Sequence, residues 1–468
     1  MAREVRRRLG FALVVVALAG CPQASGWQAD PGAIAKAEAA VSAAFTASGA
    51  PGAIVTVVSG DTVVWTRAYG VANIETGAAI TADTLFQIGS VTKTFTAAAV
   101  LAASAQGVVA LDRPVRTYIP GLTPCVGAPT LSQLLSHTGG IIDEPDEYGP
   151  QGEDGLGAYQ RTWTSEYCML PPGRAFSYSN SGFALAGLAL QEAEKKPFAD
   201  VMRARVLDPL GMTRTTFRPT EAMTWPLAVG HRRDKDGKFT VVRPLANDAR
   251  LWPAGTLYSS ATEMARFATA LLHDGKVSGA PGLPAGIVER MRARIAEIPT
   301  TGQAYGLGLF HDSFRRYGHG GTMTGYVARM DVDPSSRLAV IVMTNGDNAN
   351  AAELARRGRI LGLALRDVAE TTIDEPPAYK PQLLGGDAAR YVGTFRNPRR
   401  FTVEVLRAGD GLVLKRFGRD FSMRYYAPGH FLVDLPRGRV ESIRFGLPDS
   451  GPADYLQMNL WALARVAR

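Results

Sequence analysis

The sequence is poor in the residues that build metal centres. Its 468 residues include three cysteines and six histidines, and the histidines have no spacing typical of a metal-ligand set. We therefore expect no bound metal and no cofactor. Hydrophobic residues make up 46% and charged residues 20% of the chain, which is typical of a soluble globular protein with a sizeable core.

Long apolar runs and basic blocks are also missing. After the first 20 residues, no apolar run is long enough for a transmembrane helix. The net charge of +8 is scattered along the chain, so no nucleic-acid-binding signature is present. We see no internal repeat and no low-complexity tract.

The first 21 residues have the pattern of an export signal. The basic segment MAREVRRR precedes a short apolar segment, LGFALVVVALAG. Leu18-Ala19-Gly20-Cys21 resembles a bacterial lipobox, in which Cys21 would carry lipid. The alternative is ordinary signal cleavage a few residues later. We expect an exported, periplasmic protein anchored through Cys21, with the membrane as a partner only through that lipid.

The rest of the chain divides into a long mixed part and a short β-rich part. From 28 to 370, helical patterns alternate with strand-like runs such as GAIVTVVSG and RLAVIVMTN. The acidic, Pro-rich stretch 371–388 predicts a linker. From 389 to 468, short alternating runs separated by turn residues predict a small antiparallel β-barrel.

A serine and a lysine lie three residues apart in IGSVTKTFTAAA. Helical spacing places Ser90 and Lys93 on one face, within reach of each other. The alanine-rich continuation is typical of a buried helix, and a lysine is costly to bury unless it has a role there. An S-x-x-K motif alone is a weak signal, because chance produces it in a chain of this length.

Two further motifs follow in a fixed order. YSN at 178–180 is the only Y-x-N in the chain, and HGG at 319–321 is an H-x-G in a strand-like segment. The other H-x-G motifs are excluded, because HTG at 137–139 precedes YSN and HDG at 273–275 ends a predicted helix. We expect the five remaining histidines at turns, helix caps or the surface: His137, His231, His273, His311 and His430.

The order S-x-x-K, Y-x-N, H-x-G resembles the serine β-lactamase and penicillin-binding protein superfamily. It is most similar to the branch of class C β-lactamases, DD-peptidases, D-aminopeptidases and β-lactamase-like esterases, and the likeness covers roughly residues 30 to 365. The resemblance implies a mixed α/β fold: an antiparallel sheet flanked by helices, with a helical lobe and the site at their junction. The C-terminal barrel resembles the lipocalin-like modules of some D-aminopeptidase relatives.

The resemblance also implies catalytic roles. Ser90 would be the acylated nucleophile, and Lys93 and Tyr178 would share proton transfer. Lysine acts as a base only if its pKa is lowered by burial or a nearby cation, whereas a tyrosine phenolate beside an ammonium is the alternative. The sequence leaves both open. Asn180 would hold a substrate amide or carbonyl.

The remaining site residues come from the third motif. Backbone N–H groups of Ser90 and Thr322 would form the oxyanion hole. His319 and Gly321 are expected to bind substrate, with the glycine allowing close approach. Class C β-lactamases have Lys-Thr-Gly here, and a histidine supplies positive charge only partly, which favours the peptidase and esterase branches.

The expected function is hydrolysis of an ester or amide bond through a Ser90 acyl-enzyme, with a small molecule or peptide as substrate. A peptidase or amidase acting on D-amino-acid or cell-wall-like peptides is favoured. The same machinery serves a broad-specificity esterase or a β-lactamase, and a penicillin-recognising sensor or non-catalytic binding protein is the alternative from another class. In an oxidising compartment Cys125 and Cys168 could form a disulfide, which the sequence leaves open.

The lipobox makes a prediction about location. Replacing the lipidated residue, Cys21→Ser, should release the protein from membranes, because no other apolar segment is expected to hold it there. Fractionation of cells into membrane and soluble extracts measures this. Membrane association equal to that of the unsubstituted protein would contradict the lipobox interpretation.

Overall fold

The structure is a computed structural model that describes residues 30–144, 147–312, 315–347, 349–368, 384 and 388–466. The signal segment, Cys21 and all but Leu384 and Ala388 of the predicted linker lie outside the described residues. Export and the domain boundaries therefore stay predictions. Within the described ranges, no helix is long and apolar enough to cross a membrane.

Among the described residues, the larger part of the chain contains thirteen strands. They are β1 (Gly52–Ser59), β2 (Thr62–Asn73), β3 (Ala78–Ala79), β4 (Phe86–Gln87), β5 (His231–Arg233), β6 (Phe239–Val241), β7 (Tyr258–Ser259), β8 (Ala296–Ile298), β9 (Gln303–Tyr305), β10 (Phe310–His311), β11 (Tyr317–Met323), β12 (Tyr326–Asp333) and β13 (Leu338–Thr344).

Nine of these strands form one antiparallel sheet. Its order is β3-β2-β1-β13-β12-β11-β10-β9-β8, and every neighbouring pair is antiparallel. The remaining strands pair as β4 with β7 and β5 with β6. The central strands β1 and β13 are apolar and buried along nearly their whole length, because helices cover both faces of the sheet.

The helices of the described residues are α1 (Pro31–Ser48), α2 (Thr92–Ala105), α3 (Leu131–Leu135), α4 (Gly155–Ala158), α5 (Asn180–Glu194), α6 (Phe198–Met202), α7 (Pro219–Ala222), α8 (Trp252–Gly255), α9 (Ala261–Leu272), α10 (Ile287–Arg292), α11 (Ala351–Leu365) and α12 (Ala388–Tyr391). Helix α1 begins at a proline and ends at left-handed Gly49 (φ 61°), the residue types that favour these two positions.

Helices cover both faces of the sheet, and a further set of helices forms a lobe. Helices α1 and α11 cover one face, where Val55, Val340 and Leu354 share a core. Helix α9 packs on the opposite face of β1 and β13, against the alternate residues Ile54 and Ile341. Helices α2, α5 and α8 contact one another and build the helical lobe. The mixed fold expected from the motifs is confirmed.

The C-terminal residues form a closed eight-stranded antiparallel barrel, as predicted. Its strands are β14 (Gly393–Asn397), β15 (Phe401–Ala408), β16 (Gly411–Arg416), β17 (Arg419–Ala427), β18 (His430–Leu435), β19 (Arg439–Gly446), β20 (Tyr455–Met458) and β21 (Trp461–Arg465). Apolar side chains such as Phe395, Val405 and Phe431 fill its interior, so the barrel is a packed core of the kind small barrels have.

A disulfide joins Cys125 to Cys168, with their Cα atoms 6.2 Å apart. The bond closes a loop across 43 residues. This segment carries α3 and the turn at His137, whose ring lies 4.2 Å from that of the predicted site residue Tyr178. The disulfide therefore restrains part of the site wall.

The disulfide makes a prediction about stability. In the chain-entropy treatment, a cross-link over 43 residues stabilises the fold by about 4 kcal/mol. The double variant Cys125→Ser/Cys168→Ser should lose about this free energy of unfolding in urea denaturation followed by near-UV circular dichroism. An unchanged denaturation midpoint, or two reactive thiols in the unreduced parent protein, would contradict the prediction.

Candidate active site

The start of α2 lies at the junction of the sheet and the helical lobe. A short 3-10 turn, Gly89–Val91, leads into the helix, and residues 92–103 are all buried. The alanine-rich sequence allows this, because small side chains let neighbouring helices approach from every side. Lys93 is consequently fully buried, 0% exposed, whereas Ser90 remains partly open to the cleft.

The amine of Lys93 has three close oxygen contacts. Its Nζ lies 2.9 Å from Ser90 Oγ, 2.6 Å from Asn180 Oδ1 and 2.7 Å from the carbonyl oxygen of Ala254. A neutral amine has two N–H donors and one lone pair. Because the amide and carbonyl oxygens accept the two donors, the lone pair is left for the hydroxyl of Ser90.

The charge states of the two candidate bases differ. Burial lowers the pKa of Lys93 to about 7, although the charge of Asp143 raises it. Burial raises the pKa of Tyr178 well above its usual range, despite its hydrogen bond with Ser90. Near neutral pH the lysine is thus available as a base while the tyrosine keeps its proton. The geometry favours Lys93 over a Tyr178 phenolate, the choice that the sequence left open.

The YSN motif stands at the beginning of α5. Ser179 caps the helix by accepting a hydrogen bond from the N–H of Gly182 at 3.0 Å. This cap places Tyr178 just before the helix, with its ring centroid 4.9 Å from Lys93 Nζ. Asn180 is the first helical residue. Its side-chain oxygen is engaged by Lys93, a contact that the predicted substrate-binding role did not include.

Two glycines bring the predicted oxyanion-hole amides together. Gly89 has a left-handed backbone (φ 53°), and a Cβ there would lie 2.5 Å from the nitrogen of Thr322. A Cβ on Gly321 would lie 2.0 Å from the carbonyl oxygen of Ile88. The close approach at Gly321 is therefore between strand β11 and the start of α2. The expectation that Gly321 also lets the strand approach substrate stays a prediction.

His319 is buried and neutral. It is 2% exposed, its Nε2 lies 3.0 Å from the hydroxyl of Tyr305, and its Nδ1 lies 2.6 Å from the carbonyl of Gly320. Burial, reinforced by the charge of Lys93, lowers the pKa of His319 to about 3. This low pKa contradicts the expectation that His319 supplies part of a positive charge. His319 lines the cleft that contains Ser90, and its role in binding substrate stays a prediction.

His137 also belongs to the site, which the sequence did not indicate. It lies in a turn, as expected, with a left-handed backbone (φ 57°). Its ring is 2% exposed, lies 4.2 Å from the Tyr178 ring and accepts the N–H of Ser179 at 3.0 Å through Nδ1. A surface position is likewise wrong for three other buried histidines, His231, His311 and His430, whereas His273 caps α9 as expected.

The barrel forms part of the cleft wall. The backbone N–H of Tyr178 donates to the carbonyl of Leu460 at 2.8 Å. Leu460 and Trp461 line a cleft of about 750 Å³ together with Ser90 and Phe310. Arg400 lines an adjoining pocket that also contains Ser90. These residues were missed because nothing in the sequence of the β-rich part marks them as neighbours of the S-x-x-K motif.

A serine at a helix start, a buried lysine one turn along and a tyrosine just before a second helix define a serine acyl-transfer site. The Beta-lactamase family model matches residues 37–365. The chain belongs to this family of serine hydrolases, which confirms the superfamily that the three motifs indicated.

Individual proteins and solved structures are also similar to this chain over two thirds or more of its length. Penicillin-binding protein 4 of Amycolatopsis lactamdurans is 29% identical over 366 residues, which cover 74% of this chain and 93% of that protein. The crystal structure of SurE with D-Leu has a TM-score of 0.75 and 26% identity, covering 93% of this chain and 100% of its own. A D-stereospecific amidohydrolase from Streptomyces sp. has a TM-score of 0.53 and 26% identity, with 68% and 96% coverage.

The protonation states of Lys93 and Tyr178 predict how the rate of acylation depends on pH. A lysine base acts only after losing its proton, so the rate at which p-nitrophenyl acetate acylates Ser90 should rise with pH through a midpoint near the Lys93 pKa of about 7. Lys93→Arg should lower the rate by about 10² or more, because arginine stays protonated. Stopped-flow measurement of the acylation burst provides the profile.

Tyr178→Phe is the matched comparison. This variant should react more slowly, because it lacks the hydroxyl beside Ser90. It should keep the midpoint of the acidic limb, because Tyr178 carries its proton in the parent protein and does not titrate in this range. Loss of the limb in Tyr178→Phe, with the limb retained in Lys93→Arg, would instead identify the tyrosine as the base.

Proposed function

We propose that this protein hydrolyses amide bonds next to D-amino acids through an acyl-enzyme on Ser90. The observation that carries the proposal is the buried amine of Lys93, held 2.9 Å from Ser90 Oγ by two other oxygen acceptors. Among the described residues, the close contacts of this amine are to uncharged oxygens rather than to a carboxylate. Its burial makes chemical sense as the means of activating the serine.

In the proposed acylation step, Ser90 Oγ attacks the substrate carbonyl carbon and its proton moves to Lys93 Nζ. The new oxyanion accepts hydrogen bonds from the backbone N–H groups of Ser90 and Thr322, where the helix start also favours negative charge. The amine leaves with the proton that Lys93 received: the Tyr178 hydroxyl beside Ser90 gives its proton to the amine and takes one from the Lys93 ammonium, so both groups return to their starting states. Water then attacks the acyl carbon, and the neutral Lys93 takes its proton. Lys93 passes this proton to Ser90 Oγ as the ester bond breaks, which releases the acid and the free serine.

The substrate class rests on the cleft and on the relatives. Phe310, Leu460 and Trp461 line the cleft beside Ser90, and such a wall suits an apolar amino-acid side chain. One structural neighbour is described as a D-stereospecific amidohydrolase, and another was crystallised with D-Leu. At the HGG triplet the site has a neutral histidine where class C β-lactamases have lysine, which disfavours a dedicated β-lactamase.

We also propose, from residues 1–21, that the protein acts outside the cytoplasm. A periplasmic location would give it access to cell-wall-like peptides that contain D-amino acids. It would also supply the oxidising conditions under which Cys125 and Cys168 remain bonded.

A substrate panel tests the proposed function. Soluble protein lacking residues 1–21 would be assayed with D-leucine p-nitroanilide, its L-enantiomer, p-nitrophenyl butyrate and nitrocefin. We expect turnover of the D-anilide in preference to the L-anilide, because the proposal takes its substrate class from the neighbours described as a D-stereospecific amidohydrolase and crystallised with D-Leu. Ester turnover should accompany it, since esters are the easier acyl donors.

Two control variants define the outcome. Ser90→Ala should abolish all turnover, whereas Ser165→Ala, which removes an exposed serine, should leave it unchanged.

Other results of the panel would replace the proposal. Turnover of the ester without turnover of either anilide would identify an esterase instead of an amidase. Nitrocefin turnover alone would replace it by a β-lactamase, and covalent labelling of Ser90 without any turnover would indicate a sensor.

A further inference from the structure

Two consecutive arginines of the barrel meet two consecutive acids of the catalytic part. The turn between β14 and β15 carries Arg399 and Arg400, and the loop after α3 carries Asp143 and Glu144. Arg400 forms an ion pair with Asp143, and Arg399 Nη2 lies 3.5 Å from Glu144 Oε1. The barrel therefore contacts the catalytic part through a matched pair of charges beside the site.

Arg400 is held on both sides. Its guanidinium carbon lies 4.7 Å from the centre of the Trp461 ring, which belongs to the same barrel, while one of its nitrogens donates to Asp143 Oδ2. Its side chain is 25% exposed and lines the pocket that contains Ser90. Stacking on the ring and pairing with a carboxylate fix the orientation of the guanidinium.

Asp143 connects this arginine to the catalytic amine. Its side chain is 0% exposed, and its Oδ1 accepts the backbone N–H of Asn180 at 2.8 Å. Asn180 in turn accepts from Lys93 Nζ at 2.6 Å. A buried carboxylate is strongly unfavourable without a cation, so Arg400 is what allows Asp143 to remain charged beneath the first turn of α5.

The charge of Asp143 also acts on Lys93. This carboxylate raises the pKa of Lys93, because a nearby negative charge favours the ammonium form. The guanidinium of Arg400, which pairs with it, carries the opposite charge. The other titratable groups around the amine contribute no charge near neutral pH, because burial keeps the histidines neutral and the tyrosine protonated: His137, His319 and Tyr178. Further out, the adjoining pocket contains Glu147, whose carboxylate accepts from Thr324, and Asp248, which pairs with Arg250.

We propose that Arg400 is a positioning residue for acylation of Ser90: its ion pair fixes Asp143 beneath Asn180 and offsets the negative charge that this carboxylate places beside Lys93. The inference rests on the proposed function. It makes the barrel part of the acylation machinery, because the offsetting charge comes from the turn between β14 and β15.

The pH dependence of serine labelling tests the proposal. Protein lacking residues 1–21 would be labelled with a fluorophosphonate probe, and the rate constant followed across pH for each variant. In Arg400→Met the unopposed carboxylate should hold the proton on Lys93, so the acidic limb should move up by about 0.5 to 1 pH unit. In Asp143→Asn, which retains an oxygen acceptor for Asn180, the limb should move down instead.

Three further variants separate charge from folding. Arg400→Lys should restore most of the parent midpoint, and Arg400→Met/Asp143→Asn should bring the limb back towards the parent value, because both charges are then absent. Arg399→Met removes a barrel ion pair from the same turn but not the partner of Asp143, and it should leave the midpoint unchanged.

The outcomes distinguish this inference from the proposed function. An unmoved limb in Arg400→Met and Asp143→Asn, or an equal movement in Arg399→Met, would overturn the role of Arg400 while leaving Ser90 as the nucleophile. Absence of labelling at Ser90 in the parent protein would overturn the proposed function and this inference with it. If Arg400→Met does not fold, the downward shift in Asp143→Asn and the Arg400→Lys profile decide the question.

Discussion

The burial of one amine is the constraint on which the rest of this structure depends. Lys93 lies in a helix whose neighbouring residues are all removed from water, and a lysine without solvent gives up its proton far more easily than usual. Two oxygens take its N–H groups and direct its lone pair at Ser90. The alanine-rich sequence of α2, the cap at Ser179 and the glycines at 89 and 321 all serve to hold this amine dry and in place.

The histidines and the tyrosine around that amine are uncharged near neutral pH. His319 and His137 are neutral because they are buried, and Tyr178 keeps its proton for the same reason. The charged side chains of Asp143 and Arg400, which lie next to this group, form an ion pair with each other. Such a setting keeps the lysine poised near neutral pH, where a general base is most effective. It also explains why a barrel without catalytic motifs can matter for the chemistry.

Patterns that depend on local sequence were predicted well. The strand-like runs that form β1 and β13 and the turn spacing of the barrel each act within a few residues. Ser90 and Lys93 could be paired because helical spacing fixes their distance. Asp143 and Arg400 could not, because they lie 257 residues apart and meet only through docking of the barrel. The neutral state of His319 was missed because its cause is burial, which a motif does not contain.

The most direct test of this account is the protonation of Lys93 itself. In protein labelled with ¹³C-lysine, the Cε resonance missing from Lys93→Arg would be followed by NMR across pH. We expect it to titrate near the pKa of about 7 that burial imposes, with no substrate present. Titration at the ordinary lysine value of about 10.4 would mean that the amine is charged in the resting protein, and would contradict its role as the base.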